Sequence, residues 1–92
     1  NEAADSLEMI MEKRPLMRWE YYADGSLYRQ IEIQTKGETD IPTGNYYEHF
    51  PSGVLHFTGR VNGSDSRGLL IKTGVWTELN ETGAIVHQET FP

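Results

Sequence analysis

"WEYYADGSLYRQ", residues 19–30, decides how this chain is read. Three aromatics stand before an Asp-Gly pair, and a Leu, a Tyr and a charge follow it. Asp24-Gly25 suits a two-residue hairpin loop of type I′, in which both central residues take positive φ. The flanking residues alternate as strand residues do. A hairpin used once and a hairpin used repeatedly imply different proteins, so the rest of the chain has to be searched for the same phrase.

It returns twice, as "YYEHFPSGVLHF" (46–57) and "WTELNETGAIVH" (76–87). The three stretches open on Trp19, Tyr46 and Trp76, and three residues later carry Tyr22, His49 and Leu79. A turn glycine follows at Gly25, Gly53 and Gly83, and two residues beyond it stand Leu27, Leu55 and Ile85. Periods of this size indicate a repeat architecture. The second and third loops, "PSG" and "ETG", are one residue longer than the first. That length fits a type I turn closed by a left-handed Gly. The implied register sets Tyr22 opposite Leu27, His49 opposite Leu55 and Leu79 opposite Ile85. Its next pairs are Glu20 with Arg29, Tyr47 with Phe57 and Thr77 with His87. Trp19, Tyr46 and Trp76 then share the other face, where alternation also places Tyr21 and Tyr28. Such an aromatic ladder serves as core, or, where exposed, as a partner-binding surface.

Between the units, "QTKGETDIPTG" (34–44) and "VNGSDSRGLLIKTG" (61–74) read as linkers, with "VNG" a turn and "GLLIKTG" a short strand. Residues 1–16 differ. Asp5 or Ser6 is a suitable N-cap, Leu7, Ile10 and Met11 fall on one helical face, and Pro15 ends the run. They read as a short amphipathic helix covering one end or face of the sheet, while the alternation of Leu7, Met9 and Met11 leaves an edge strand as the competing form. The expected fold is mainly β: an antiparallel meander of repeated hairpins over residues 17–92, with one short N-terminal α-helix in the extension 1–16.

The pattern G-x-(W/Y)-x-x-(bulky)-turn-G-x-(L/I) resembles the bacterial variant of the MORN repeat, found in YwqK-like antitoxin components. Gly74, Trp76, Gly83 and Ile85 carry it best, followed by Gly44, Tyr46, Gly53 and Leu55. The first unit departs, with Met17 where the opening Gly belongs. The resemblance implies a hairpin array without catalytic residues or cofactors, used for protein contact, and in this group for neutralising a partner toxin.

Composition sets the remaining bounds. Fourteen acids against eight bases give a net charge of −6, a poor match to nucleic acid or to anionic lipid. No cysteine is present, which removes disulfides, thiolate metal sites and thiol nucleophiles. No apolar run of membrane-spanning length occurs. His49 and His56 fall on opposite faces in this register and form no metal pair; Glu8 and Glu12 read as a solvated helix face. "GLLIKTG" lacks the glycines of a phosphate loop. The expectation is a non-enzymatic protein-binding module without cofactor or metal, an antitoxin or immunity-type protein with a basic toxin as partner. Trp19, Tyr21, Tyr28, Tyr46 and Trp76 are its candidate partner-binding residues, and edge strands could pair into a dimer. The alternative is an envelope adaptor, periplasmic or secreted, that touches glycan through an exposed ring with Asp24, Glu48 or Gln30 beside it. The bacterial cytoplasm suits the antitoxin reading, the periplasm the adaptor.

Overall fold

The computed structural model describes residues 16–92, so the N-terminal helix lies outside the described residues. Six strands follow one another: β1 (Leu16–Tyr21), β2 (Leu27–Lys36), β3 (Thr39–His49), β4 (Leu55–Ser64), β5 (Leu70–Leu79) and β6 (Ile85–Phe91). They form one antiparallel sheet in the order β1-β2-β3-β4-β5-β6, a simple meander. The two linkers are largely strand, each broken by a turn. Residues 34–44 carry the end of β2, a tight turn at Gly37-Glu38 and most of β3, and "VNG" continues β4.

Four loops close in one way. The N–H of Tyr22, Phe50, Asp65 and Asn80 donates to the carbonyl of Ser26, Val54, Leu69 and Ala84, at 2.8–2.9 Å. Within each loop the glycine N–H returns to the first residue's carbonyl at 2.8–3.0 Å. Gly25, Gly53, Gly68 and Gly83 have φ between 82° and 94°, and among the described residues no other residue type takes positive φ. All four are therefore three-residue loops that end on a left-handed glycine, the form expected only for the second and third. Asp24-Gly25 is not a type I′ pair. Asp24 instead accepts from the Ser26 N–H at 2.9 Å and from its hydroxyl at 2.6 Å, an Asx arrangement that keeps Asp24 out of the left-handed region.

This correction moves the first unit by one residue. Tyr21, not Tyr22, stands opposite Leu27, while His49–Leu55 and Leu79–Ile85 fall as expected. A bulge beyond each loop adds Tyr28, His56 and Val86 to one strand, so the next pairs are Glu20–Arg29, Glu48–Phe57 and Glu78–His87. Glu20–Arg29 is kept; Tyr47–Phe57 and Thr77–His87 are replaced, Tyr47 facing Thr58 and Thr77 facing Gln88. Counted back from the turn glycines, Arg18, Tyr46 and Trp76 are the equivalent positions, and Trp19 matches Tyr47 and Thr77.

The core is small and lies on one face. Ile31, Tyr46, Val61 and Trp76 are its buried side chains, with Phe57, Leu70 and Phe91 packed around them. Residues 31, 46, 61, 76 and 91 recur every 15 positions, one on each strand from β2 to β6. Tyr46 and Trp76 tilt against each other with ring centroids 5.0 Å apart. The indole N–H of Trp76 donates to the Arg60 carbonyl at 2.9 Å. Beneath the indole lies Gly59, where a side chain would enter the ring. These contacts hold the sheet's one apolar stripe.

Candidate interaction surface

Because the sheet is a single layer, its two faces are two separate chemical surfaces. Arg18–Ile31 and Ile31–Tyr46 are direct cross-strand pairs, which puts Arg18 on the core face and Trp19 on the other. The five candidate aromatics therefore do not form one ladder. Tyr46 and Trp76, each 5% exposed, are core. Trp19 and Tyr21, 51% and 61% exposed, project from β1 on the opposite face. Tyr28 occupies the bulge and packs on Tyr22 at 5.0 Å between ring centroids, with the Arg29 guanidinium 5.5 Å from its ring.

On the core face one register row crosses all six strands: Glu20, Arg29, Glu48, Phe57, Glu78 and His87. Its charges are tied together. Arg29 Nε donates to Glu20 Oε2 at 2.6 Å. The Tyr46 hydroxyl donates to Glu48 Oε1 at 2.6 Å. His56 stands between Glu48 and Glu78, its Nδ1 and Nε2 at 3.5 and 3.8 Å from their carboxylates, and stacks on Phe50 at 4.0 Å. Burial pushes the Tyr46 phenol above its ordinary pKa; the bond to Glu48 adds to this, and Arg29 partly offsets it. The His49 Nδ1 is buried without a hydrogen-bond partner. Among the described residues, no three His, Asp or Glu side chains gather as a metal site.

Beside this row runs a groove of about 590 Å³ lined by Arg18, Arg29, Ile31, Pro42, Leu70 and Lys72. The Lys72 ammonium stands 4.8 Å from the Trp76 ring and 5.4 Å from Phe91. Three cations on an apolar floor make the groove local in sign, against the acidic balance of the whole chain. Arg18 and Lys72 were not singled out in the sequence. A three-residue reading of the first loop would have placed Arg18 on this face, and the alternation of Leu70 with Lys72 would have placed Lys72.

The opposite face carries a largely polar row. Trp19, Gln30, Tyr47, Thr58, Thr77 and Gln88 form its continuous row, with Gln30 directly across from Trp19. Next to it the Asn45 side-chain amide donates to Glu32 Oε1 at 2.5 Å, and Arg60 donates to Asn45 Oδ1 at 3.3 Å. Gln88 donates to the Thr77 hydroxyl at 3.1 Å. Asp24, a candidate polar neighbour for a ring, is committed to Ser26, and hydrogen bonding holds its carboxyl below the usual carboxylate range.

What the architecture defines is a single-sheet array of three β-hairpins, with an exposed aromatic pair on its first strand. No protein family matches the chain, and neither a curated protein nor a solved structure matches it.

Proposed function

We propose that the chain is a non-enzymatic protein-binding module of the MORN-repeat type, and that it acts as a bacterial antitoxin or immunity-type protein by holding a partner protein. The observation that carries this reading is the pair Trp19 and Tyr21, more than half exposed on one face of β1. Rings of this kind dominate interface energetics when a partner desolvates them. The net charge of −6 selects a basic partner, speeding association and making it salt-sensitive. On the core face Arg29 is bound to Glu20 and the Tyr46 hydroxyl to Glu48.

The test is capture from lysate by the wild-type chain and by a Trp19→Ala/Tyr21→Ala variant, at low and moderate salt. The reading expects a stoichiometric basic protein whose binding weakens at least tenfold in the variant, and whose toxicity to growing cells is relieved by co-expression of the wild-type chain. Equal capture by both forms, or toxicity left unrelieved, refutes it.

A second reading, an envelope adaptor that touches glycan, rests on Gln30 standing across from the exposed Trp19. An amide beside an open ring is the pairing that a sugar ring and its hydroxyls require. Titration with soluble oligosaccharides, followed by Trp19 fluorescence, separates the two: a saturable change favours the adaptor.

A further inference from the structure

The sheet consists of three equivalent hairpins, β1–β2, β3–β4 and β5–β6, joined edge to edge. The joints repeat. Across β2–β3 the pairs are Arg29–Glu48, Gln30–Tyr47 and Ile31–Tyr46; across β4–β5 they are Phe57–Glu78 and Thr58–Thr77. The outer edge of the second strand in a hairpin is thus built to receive the first strand of the next, and it does so twice within the chain. β6 is the third such edge, and nothing in the described residues covers it: Ile85 through Thr90 are all exposed. β1 is the matching acceptor, with no strand on its outer side among the described residues.

We propose that β6 of one chain pairs with β1 of a second copy, head to tail, in the register that the two internal joints already use. Equivalence to Arg29–Glu48 and Phe57–Glu78 fixes the pairs as His87 with the partner copy's Glu20, Gln88 with its Trp19 and Glu89 with its Arg18. An acid meets a basic group at two of these positions, Glu89 with Arg18 and His87 with Glu20. Arg18, His87 and Glu89 form no ion pair among the described residues, so the joint supplies partners they lack. Slipping the strands by two residues either sets Glu89 against Glu20 or sets His87 against Arg18. Both slips oppose like groups or leave a carboxylate against an aliphatic, and like charges directly opposite weaken a strand pair. A joint of this kind is heterologous, so it propagates and does not stop at two chains. This inference is independent of the partner reading, because it uses strand edges and leaves the exposed rings of Trp19 and Tyr21 on the sheet face.

The experiment is sedimentation equilibrium of the whole chain at roughly micromolar to millimolar concentrations, since contacts this small are weak. The expected result is a weight-average mass that climbs from 10.5 kDa with concentration and passes the dimer value without a plateau. Arg18→Glu and Glu89→Arg each place like charges in the joint and lower the association constant roughly tenfold. Combined in one chain they restore opposite charges and restore association. Both positions are on exposed edge strands, and circular dichroism checks that the variants keep their sheet. A chain that stays monomeric overturns the proposal. So does a plateau at the dimer with no rescue by the double exchange, which marks β6 pairing with β6 or β1 with β1.

Discussion

Replacing Gly59 with Ala drives a methyl group into the indole of Trp76, overlapping Cγ, Cδ2 and Cε2. The backbone at Gly59 is not left-handed, so the ring alone sets the cost. To regain ordinary contact, at about 3.5–4.0 Å between carbons, the indole must move by about 1 Å or more. That movement strains the bond from Trp76 Nε1 to the Arg60 carbonyl, 2.9 Å long, and the tilted contact with Tyr46. Overpacking costs about 1–3 kcal/mol and a weakened buried hydrogen bond about 1 kcal/mol, so the expected loss is about 2–4 kcal/mol. A domain of this length has a total of roughly 5–14 kcal/mol, so the loss is a large share of it. Urea unfolding, read by far-ultraviolet circular dichroism, measures it in every background. With m near 1 kcal/mol/M the midpoint falls by about 2 M or more. Gly53→Ala is the contrast: its side chain meets open space, and its φ of 94° makes the cost one of backbone strain, about 1 kcal/mol. In a Trp76→Leu background the smaller side chain leaves room, and Gly59→Ala costs less than about 1 kcal/mol. A loss below about 0.5 kcal/mol, or the same loss in both backgrounds, refutes the close approach of indole and backbone as its cause.

Three further outcomes follow from particular contacts. Trp76→Ala empties the core and costs about 3–5 kcal/mol, whereas Trp19→Ala, at an exposed site, changes stability by less than about 0.5 kcal/mol; thermal unfolding of the two variants side by side checks the difference. Asn80 Oδ1 accepts from the N–H groups of Thr82 and Ala84 at 3.0 and 3.1 Å, so Asn80→Ala costs about 1 kcal/mol while Asn80→Asp, which keeps the acceptor, costs less; urea midpoints decide between them. The Tyr46 phenol has a raised pKa in the folded chain, so its contribution is complete below the ordinary tyrosine value near pH 10 and is lost as pH rises through the folded value; urea midpoints across an alkaline series should fall, and Tyr46→Phe should flatten that fall.

How far the sequence could be read turned on one loop. Gly25, Gly53 and Gly83, each with an aliphatic two residues on, were enough to find three hairpins and a meander. Asp24-Gly25 carries the strongest local signature of a two-residue loop, yet the Asp24 side chain bonds to Ser26 and leaves φ positive only at Gly25. Strand periodicity is two, so that one-residue error turned β1 over and put Trp19 in the ladder where Arg18 belongs. Irregular pairing hides the strand character of residues 34–44 and 61–74: register shifts between Ile31 and Ile33 and between Val61 and Ser64 break the alternation on which strand recognition depends. The fourth loop, Asp65–Leu69, has the same glycine, with Leu70 two residues on, but turns at the other end of the sheet and so falls between the units of the 30-residue period. Asp65 closes it as Asn80 closes the last, accepting from the N–H groups of Arg67 and Leu69 at 2.9 and 3.0 Å. Lys72 owes its place in the groove to that loop, which is why a period drawn from the other three could not reveal it.

A meander of one layer has a further consequence, because each strand packs chiefly against its neighbours in sequence. In such a chain stability is close to a sum of hairpins and the joints between them, as in other repeat proteins. The buried residues Ile31, Tyr46, Val61 and Trp76 lie on β2 to β5, and each of these strands is paired on both sides. β1 and β6 are paired on one side, and β6 is exposed from Ile85 to Thr90. Opening β6 therefore breaks one ladder and uncovers Phe91, whereas opening β3 or β4 breaks two ladders and the core stripe. Hydrogen exchange should follow that order. Amides of β3 and β4 should exchange only through global unfolding, at roughly 5–14 kcal/mol, while those of β6 exchange through fraying that costs a few kcal/mol less. Uniform protection across all six strands would mean that the sheet opens as one unit and that the joints are stronger than the hairpins they connect. In the self-associated state proposed above, β1 and β6 gain the second ladder they lack, so their exchange slows with protein concentration while that of β3 and β4 does not. An edge that slows alone, β6 without β1, would point to pairing between like edges instead.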